Sequence, residues 1–260
     1  MAIAIESIWP ITSHNAFVVL CCTCDQAQTM KHEIIGDNLQ MVKVELAAGE
    51  GLLAEAGAMV NMSGHMQMET NLTGGIVAGI KRMMTGESLF LTRFFPEDRA
   101  GFVSFAGNVP GKIFPLYLSD GREFIAQRDS FLCCEEGVIL DIAFARKIRS
   151  GLFGGGGFIL QNMSGNGTAF LHCGGDIIEL TLQDSEMVKV QTGLVVGFES
   201  TVTYDIALAG GISSILFGGE GLFVTTLTGP GKVVLQSMDI AKIAAALVPF
   251  LPKPEETSGK

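Results

Sequence analysis

The side chains best suited to catalysis are histidine and cysteine, and their spacing assembles no catalytic motif. Histidine occurs at positions 14, 32, 65 and 172, and the chain has no G-x-S-x-G, H-E-x-x-H or G-x-x-x-x-G-K-[ST] pattern. His172 stands beside Cys173, but neighbouring residues of a strand point to opposite faces. The sequence therefore favours a protein without enzymatic activity.

Five sulfur and imidazole side chains lie close together and could in principle hold a soft cation. They are Met59, Met62, His65, Met66 and Met68, and thioether with imidazole suits Cu(I). Methionine is also a common filler of irregular core space, and Met66 and Met68 share one face of a predicted strand. Core packing is the favoured interpretation, so no metal and no cofactor are predicted.

The cysteines indicate buried thiols rather than a disulfide framework. Cys21 and Cys24 form a C-x-x-C without a second pair, which is too little for a zinc site. Cys133 and Cys134 are adjacent, so on a predicted strand they alternate between the two faces. This usage is typical of a reducing compartment, and we expect a cytoplasmic protein.

A phosphate-binding loop and a nucleic-acid surface are both disfavoured. The glycine run 154–157 could form an anion-binding turn, but no Lys followed by Ser or Thr stands in the required register. The chain carries 17 basic and 27 acidic residues, a net charge of −10. This charge opposes the counterion release on which binding to a phosphate backbone depends, so nucleic acid is not the expected partner.

Three short apolar segments are the strongest candidates for a binding surface. Basic side chains stand beside apolar ones in the first two segments and the third is apolar only, a pattern typical of interfacial membrane anchors. The same residues could instead pack under neighbouring strands or fill a ring. The candidate docking residues are Ile80, Lys81, Arg82, Met83, Arg146, Lys147, Arg149, Leu152, Phe153, Ile215, Leu216 and Phe217.

These segments are positioned by a pattern that occurs three times along the chain. Its second part is an apolar alternating run, a turn, and another alternating run that opens at Gly101, Gly167 or Gly231. The turns contain the Gly, Pro, Asn and Asp that tight turns need, and this predicts three β-hairpins. The first part precedes each hairpin at nearly constant spacing, in the equivalent segments 49–59, 121–131 and 185–195.

The repeats predict an all-β chain of three units with a short C-terminal helix. Ile240, Ile243, Leu247 and Leu251 are spaced by three or four residues, as on one face of a helix. No apolar run reaches the ~18–20 residues that span a bilayer. The predicted divisions are an extension 1–29, β repeats 30–110, 111–177 and 178–239, a helix 240–252 and a tail 253–260.

Four segments together resemble an uncharacterised bacterial and archaeal family whose eukaryotic relatives are the altered-inheritance-of-mitochondria proteins, linked with mitochondrial biogenesis. They read MKHEIIGDNLQMVKVEL at 30–46, AEAGAM at 54–59, GGIVAGIKRMMTGES at 74–88 and SMDIAKIAAALVPFLP at 237–252. The resemblance implies three β-sandwich units, each similar to one subunit of the tryptophan-RNA-binding attenuation protein. It also implies a homotrimer that forms a pseudo-ninefold ring, and it names no reaction.

The sequence thus predicts a non-enzymatic, homotrimeric β scaffold that docks on a membrane surface or a partner protein, peripheral to the membrane in the first case. The alternative is a ring that binds a small ligand or nucleic acid, which would place converging polar side chains in clefts between units. An enzyme of unknown chemistry is the third hypothesis.

Overall fold

The computed structural model describes residues 30–70, 91–146, 158–208 and 223–250. These residues form an all-β fold of antiparallel sheets, which confirms the predicted fold class. The strands of the first part are β1 His32–Ile35, β2 Met41–Leu46, β3 Leu52–Glu55, β4 Met59–Met62, β5 Met66–Glu69, β6 Leu91–Pro96 and β7 Gly101–Ala106.

The remaining strands continue in the same style. They are β8 Gly111–Leu118, β9 Phe124–Gln127, β10 Phe131–Glu135, β11 Val138–Arg146, β12 Phe158–Gly165, β13 Gly167–Gly174, β14 Ile177–Leu182, β15 Met187–Gln191, β16 Val195–Glu199, β17 Thr203–Leu208, β18 Phe223–Thr228 and β19 Gly231–Gln236. Short 3-10 turns occur at Ala56–Ala58, Arg128–Ser130 and Thr192–Leu194.

The strands pair in an order that recurs along the chain. In unit 1, which is β2–β7, one half-sheet is β2-β7-β4 and the other is β5-β6-β3. Unit 2 (β8–β13) and unit 3 (β14–β19) have the corresponding half-sheets, with a 3-10 turn after the second strand of each unit. Strand β1 extends the first half-sheet of unit 1 beside β2.

Neighbouring units share a sheet. Strand β3 of unit 1 pairs with β10 of unit 2, which makes the six-stranded sheet β5-β6-β3-β10-β13-β8. Strand β9 of unit 2 pairs with β16 of unit 3 in the same way, giving β11-β12-β9-β16-β19-β14. The outer half-sheets, β1-β2-β7-β4 and β15-β18-β17, are joined to no further sheet in the described part of the chain.

The three predicted hairpins are wrong in their pairing, although their strands and turns are where the sequence placed them. The strands on either side of each turn lie in different sheets: β6 pairs with β3 and β5, whereas β7 pairs with β2 and β4. Each turn therefore crosses from one layer of a sandwich to the other. An alternating pattern around a turn does not distinguish this crossing from a hairpin, because both need strands with a buried face.

The described residues form three apolar core clusters, and each six-stranded sheet contributes to more than one of them. Cys133 lies in the cluster with Phe94 and Phe105, whereas Cys134 lies in the cluster with Phe131. The prediction of buried thiols on opposite faces is confirmed for this pair. Burial raises the pKa of both thiols, so they behave as small apolar side chains.

The predicted C-terminal helix is present as α1, Ile240–Leu247, followed by a 3-10 turn at Val248–Phe250. It is shorter than predicted because Pro249 lacks an N–H and disfavours the helical conformation of the preceding residue. Apolar side chains of the helix are exposed: Ile240 is 59 % and Leu247 is 55 % accessible. None of the helices in the described ranges is long and apolar enough to cross a membrane.

Candidate assembly site at the sheet edges

The junction between units 1 and 2 is apolar between the strands and charged at its margin. Leu53 of β3 stands opposite Cys134 of β10, and both side chains are buried. At the margin of the junction, Arg93 forms a bidentate ion pair with Glu136. Arg93 Nη2 lies 3.4 Å from Glu136 Oε2, and Arg93 Nε donates to Oε1. The guanidinium matches the geometry of the carboxylate, so the pair fixes the register of the two units.

The junction between units 2 and 3 repeats this construction with different side chains. Gly197 of β16 stands opposite Ala126 of β9, and a side chain at Gly197 would collide with the ring of Phe124. Arg122 Nη2 donates to Glu199 Oε1 at 3.1 Å across the junction. Two Arg–Glu ion pairs, formed by residues at non-equivalent positions, thus lie at the margins of equivalent strand pairs.

The joining strands correspond residue by residue in the three units. Strands β4, β10 and β16 each have a bulge after their first residue, where they pair with the last strand of their own unit. This common irregularity aligns Val60 with Leu132 and Val196. On the other side of the joint, Lys189 of β15 corresponds to Leu53 and Ile125, as their pairings within each unit show.

The two strands left over by this scheme, β4 and β15, are open edges. Val60 of β4 is 53 % accessible, whereas its equivalents Leu132 and Val196 are 3 % and 0 % accessible beneath the neighbouring unit. Met187 at the start of β15 is 69 % accessible. Large apolar side chains therefore remain exposed at both positions where a further unit would join.

These edge residues were missed by the sequence analysis, but a signal for them was present. Aligning the repeats brings the polar Lys189 against Leu53 and Ile125, and the polar Asn61 against Cys133 and Gly197. A polar residue in one copy where the others are apolar or small marks a strand with a different environment.

The candidate docking residues fall on segments that lie outside the described residues, apart from Arg146. Arg146 ends β11, with its backbone opposite Phe158 of β12. The three segments connect the strand pairs β5–β6, β11–β12 and β17–β18. Their flanking strands meet beside the ends of β3, β9 and β15, next to the 3-10 turns. We call this the turn end of the body.

A polar side chain occupies the same core position near the turn end of each unit. Thr92 and Gln161 are fully buried. The Thr92 hydroxyl and both polar atoms of the Gln161 amide have no hydrogen-bond partner. In unit 3 the equivalent Thr225 donates to Thr192 Oγ1 at 3.0 Å. Only unit 3 satisfies this buried position, because its 3-10 turn supplies a hydroxyl there.

The residues considered for metal or catalytic chemistry are divided between the core and the surface. Met66 is buried in the core, Met68 is largely exposed, and His65 Nε2 lies 3.1 Å from the Ala100 carbonyl oxygen. Burial lowers the pKa of His172, opposed by a hydrogen bond with the backbone of Val109. Burial also raises the pKa of Cys173 to about 12. Among the described residues, no group of three or more His, Cys, Asp or Glu side chains could hold a metal ion.

The fold and its edges define a class of protein: an all-β chain of sheets shared between successive units, with a joining strand left open at each end. The family described as Mitochondrial biogenesis AIM24 matches residues 32–238. The chain belongs to this family, as the resemblance indicated.

Two relatives extend this finding. An uncharacterised protein of Streptococcus pyogenes serotype M6 is 29 % identical over 220 residues, which cover 82 % of this chain and 87 % of that protein. The chain is also similar to an X-ray crystal structure of a Streptococcus pyogenes protein, at 26 % identity and a TM-score of 0.70. That similarity covers 85 % of this chain and 100 % of the other. No specific function is established for these relatives.

Proposed function

We propose that the protein is a non-enzymatic scaffold that assembles head to tail through β15 of one copy and β4 of the next. The observation that carries the proposal is the exposure of Val60, whose two equivalents are buried at the interior junctions. Unpaired edge strands with exposed apolar side chains favour pairing with another chain. A second copy is the natural partner, because it brings the complementary edge.

The interior junctions set the register expected between copies. In both junctions the residue after the bulge pairs with the third residue of the neighbouring unit's strand. Cys133 of β10 pairs with Ala54 of β3, and Gly197 of β16 pairs with Ala126 of β9. The same rule pairs Asn61 with Val190, Met62 with Lys189 and Ser63 with Val188 of the preceding copy. The resulting sheet would run β17-β18-β15 and then β4-β7-β2-β1 of the neighbour.

Head-to-tail contacts close into a ring when the rotation at each joint allows it, and otherwise continue as a filament. We propose closure by three copies, which is what the family resemblance implies. Because each chain has three units, the ring would contain three intermolecular joints among nine.

Docking on a membrane surface is the second part of the proposal. It is supported by the basic and apolar composition of 80–83 and 146–153, whose flanking strands meet at the turn end. A ring would multiply weak contacts at this end by avidity. A partner protein is the alternative to the membrane, and a ring that binds a small ligand or nucleic acid remains the alternative function.

The assembly is tested by light scattering coupled to gel filtration on the full chain. We expect a mass three times the 27.6 kDa of one chain. Val60→Lys should reduce it to that of a single folded chain, because the ammonium would be buried unpaired at the joint. Ile139→Lys is the matched control, since Ile139 is similarly exposed but lies on β11 away from the joining strands. A single-chain mass for the wild type, or equal assembly of both variants, contradicts the proposal.

Membrane docking is tested by flotation with neutral and anionic liposomes at low and high salt. We expect the full chain to float with anionic liposomes at low salt. A Phe153→Ser, Leu216→Ser, Phe217→Ser variant with unchanged circular dichroism should not float. If the wild type floats under none of these conditions, the docking part fails while the assembly part stands.

A further inference from the structure

Two short connectors carry the chain from one unit to the next, and they are tied together at the turn end. Segment 107–110 joins β7 to β8, and segment 175–176 joins β13 to β14. The Gln40 N–H donates to the Gly111 carbonyl at 3.0 Å, and the Gly175 N–H donates to the Pro110 carbonyl at 2.9 Å. The segment ahead of each unit's first strand thus bonds to its counterpart in the adjacent unit.

The chain after β19 follows the course of a third connector. The Ser237 N–H donates to the Asp176 carbonyl at 3.0 Å, and the Met238 N–H donates to the Gly174 carbonyl at 3.1 Å. These bonds extend the series by one step beyond unit 3. Where an interior connector would enter the first strand of another unit, this segment instead enters α1.

The start of α1 is held beside the open edge. Gln191 ends β15, and its Nε2 donates to Asp239 Oδ2 at 2.7 Å. The Asp239 carboxylate also packs against Gly193 in the 3-10 turn, where a larger residue would collide with it. In unit 2 the corresponding turn contacts the next unit, since the Ser130 hydroxyl lies 3.4 Å from the Val196 carbonyl oxygen of β16. The start of the helix therefore lies beside the edge that the next copy would join.

The start of unit 1 presents the matching surface. Leu39 lies two residues before the first strand of unit 1, in the place that the connectors occupy ahead of β8 and β14. Its side chain is 71 % accessible, although leucine is among the residues most often buried. Ile240 and Leu39 are thus exposed apolar residues on the two sides of the missing connection.

We propose that α1 of one copy packs its apolar side on the Leu39 segment, residues 37–41, of the next copy and replaces there the covalent connector between units. The inference rests on the head-to-tail assembly proposed above. A second copy is favoured over a lipid surface because the first turns of α1 carry alanines and the single charge of Lys242, whereas interfacial helices carry a strongly charged face.

The contact is tested by photo-crosslinking in the full chain. A benzoylphenylalanine at Ile240 is introduced into unlabelled and ¹⁵N-labelled copies, which are mixed, irradiated and mapped by peptide mass spectrometry. We expect mixed-isotope crosslinks from position 240 to residues 37–41. The same probe at Ile139, similarly exposed on β11, should not reach that segment.

A substitution measures the same contact. Ile240→Ser should raise the dissociation constant of the assembly by about tenfold, as expected for removing one buried aliphatic side chain. Lys242→Ser should leave it unchanged. Assembly should persist at high protein concentration in both variants, because the strand pairing is intact.

The outcomes separate this inference from the proposed function. Crosslinks confined to one copy, or directed to another part of the neighbour, overturn the helix contact while the Val60→Lys result stands. A wild type that is a single chain overturns both. If liposomes abolish the crosslink and Ile240→Ser abolishes flotation, α1 is a lipid-binding helix and the inference is wrong.

Discussion

The interior junctions and the open edges use equivalent strands, yet the side chains along them differ in polarity. Inside the chain the joining positions carry Leu53 and Ile125, whereas β15 has Lys189 there. On the receiving strand Cys133 and Gly197 are replaced by Asn61 in β4. The two strands of an interior junction belong to one chain, so the chain itself brings them together and the junction can be wholly apolar. An exposed edge instead needs polar residues that discourage irregular pairing.

The ion pairs follow the same division. Arg93 with Glu136 and Arg122 with Glu199 seal the two interior junctions. The positions that correspond to the first pair at the open edges are Thr226 and Gly64, which cannot form it. We therefore expect joints between copies to be weaker than joints between units. The following experiments test this contrast.

The largest effect is expected from a charge at equivalent positions of the two kinds of joint. Val196→Asp should lower the free energy of unfolding by at least about 3 kcal/mol, because Val196 is fully buried and has no cationic partner in its cluster. Val60→Asp should change it by less than about 0.5 kcal/mol in a dilute, unassembled sample. Urea unfolding followed by circular dichroism measures both. Equal losses would show that β4 is not an open edge.

A buried amide distinguishes the second unit from the third. Gln161→Met should raise the free energy of unfolding by about 1–3 kcal/mol, because it removes a buried polar group that has no partner. Thr225→Val should lower it by about 1 kcal/mol, because the bond to Thr192 is lost. Urea unfolding again provides the measurement. A destabilising Gln161→Met would mean that the amide is satisfied in solution.

The two ion pairs should differ in strength. Arg93→Ala should cost about 1 kcal/mol and Arg122→Ala less than about 0.5 kcal/mol, because the Arg93 side chain is 21 % exposed and that of Arg122 is 47 % exposed. Double-mutant cycles with Glu136→Ala and Glu199→Ala isolate the pair terms. A larger coupling energy for Arg122 with Glu199 than for Arg93 with Glu136 would contradict this prediction.

The smallest effect concerns pH at the first junction. Burial raises the pKa of Glu135 above its ordinary value of about 4.5, although the Thr168 N–H donates to the carboxylate and opposes this shift. The folded chain then binds a proton more tightly than the unfolded chain, so this group makes stability fall as pH rises from about 4.5 through the higher folded pKa.

Glu135→Gln should remove that part of the pH dependence, since the amide oxygen can still accept the Thr168 N–H. Unfolding measured between pH 4 and pH 8 on both proteins gives the difference. If the difference in free energy of unfolding between the two proteins is the same at every pH, Glu135 has its ordinary pKa in the folded chain.

Much of the fold was predictable because its signals are local. Alternation of apolar residues placed the strands on either side of Gly101, Gly167 and Gly231, and the spacing of Ile240 and Leu247 placed the helix. Pairing was not predictable in this way, because the choice between a hairpin and a crossing depends on which strands lie nearest in space. The prediction of hairpins at the glycine turns failed for this reason.

The candidate sites were likewise predictable only where their signals are local. The three segments with the candidate docking residues are recognisable in the sequence because their composition is distinctive. The open edges are not, because Val60 and Leu132 are both ordinary strand residues and differ only in what covers them. By itself the sequence determined the strands, the equivalence of their segments and the family. The tertiary structure decided which equivalent strands are joined, because burial at a joint depends on a partner that is distant along the chain or absent from it.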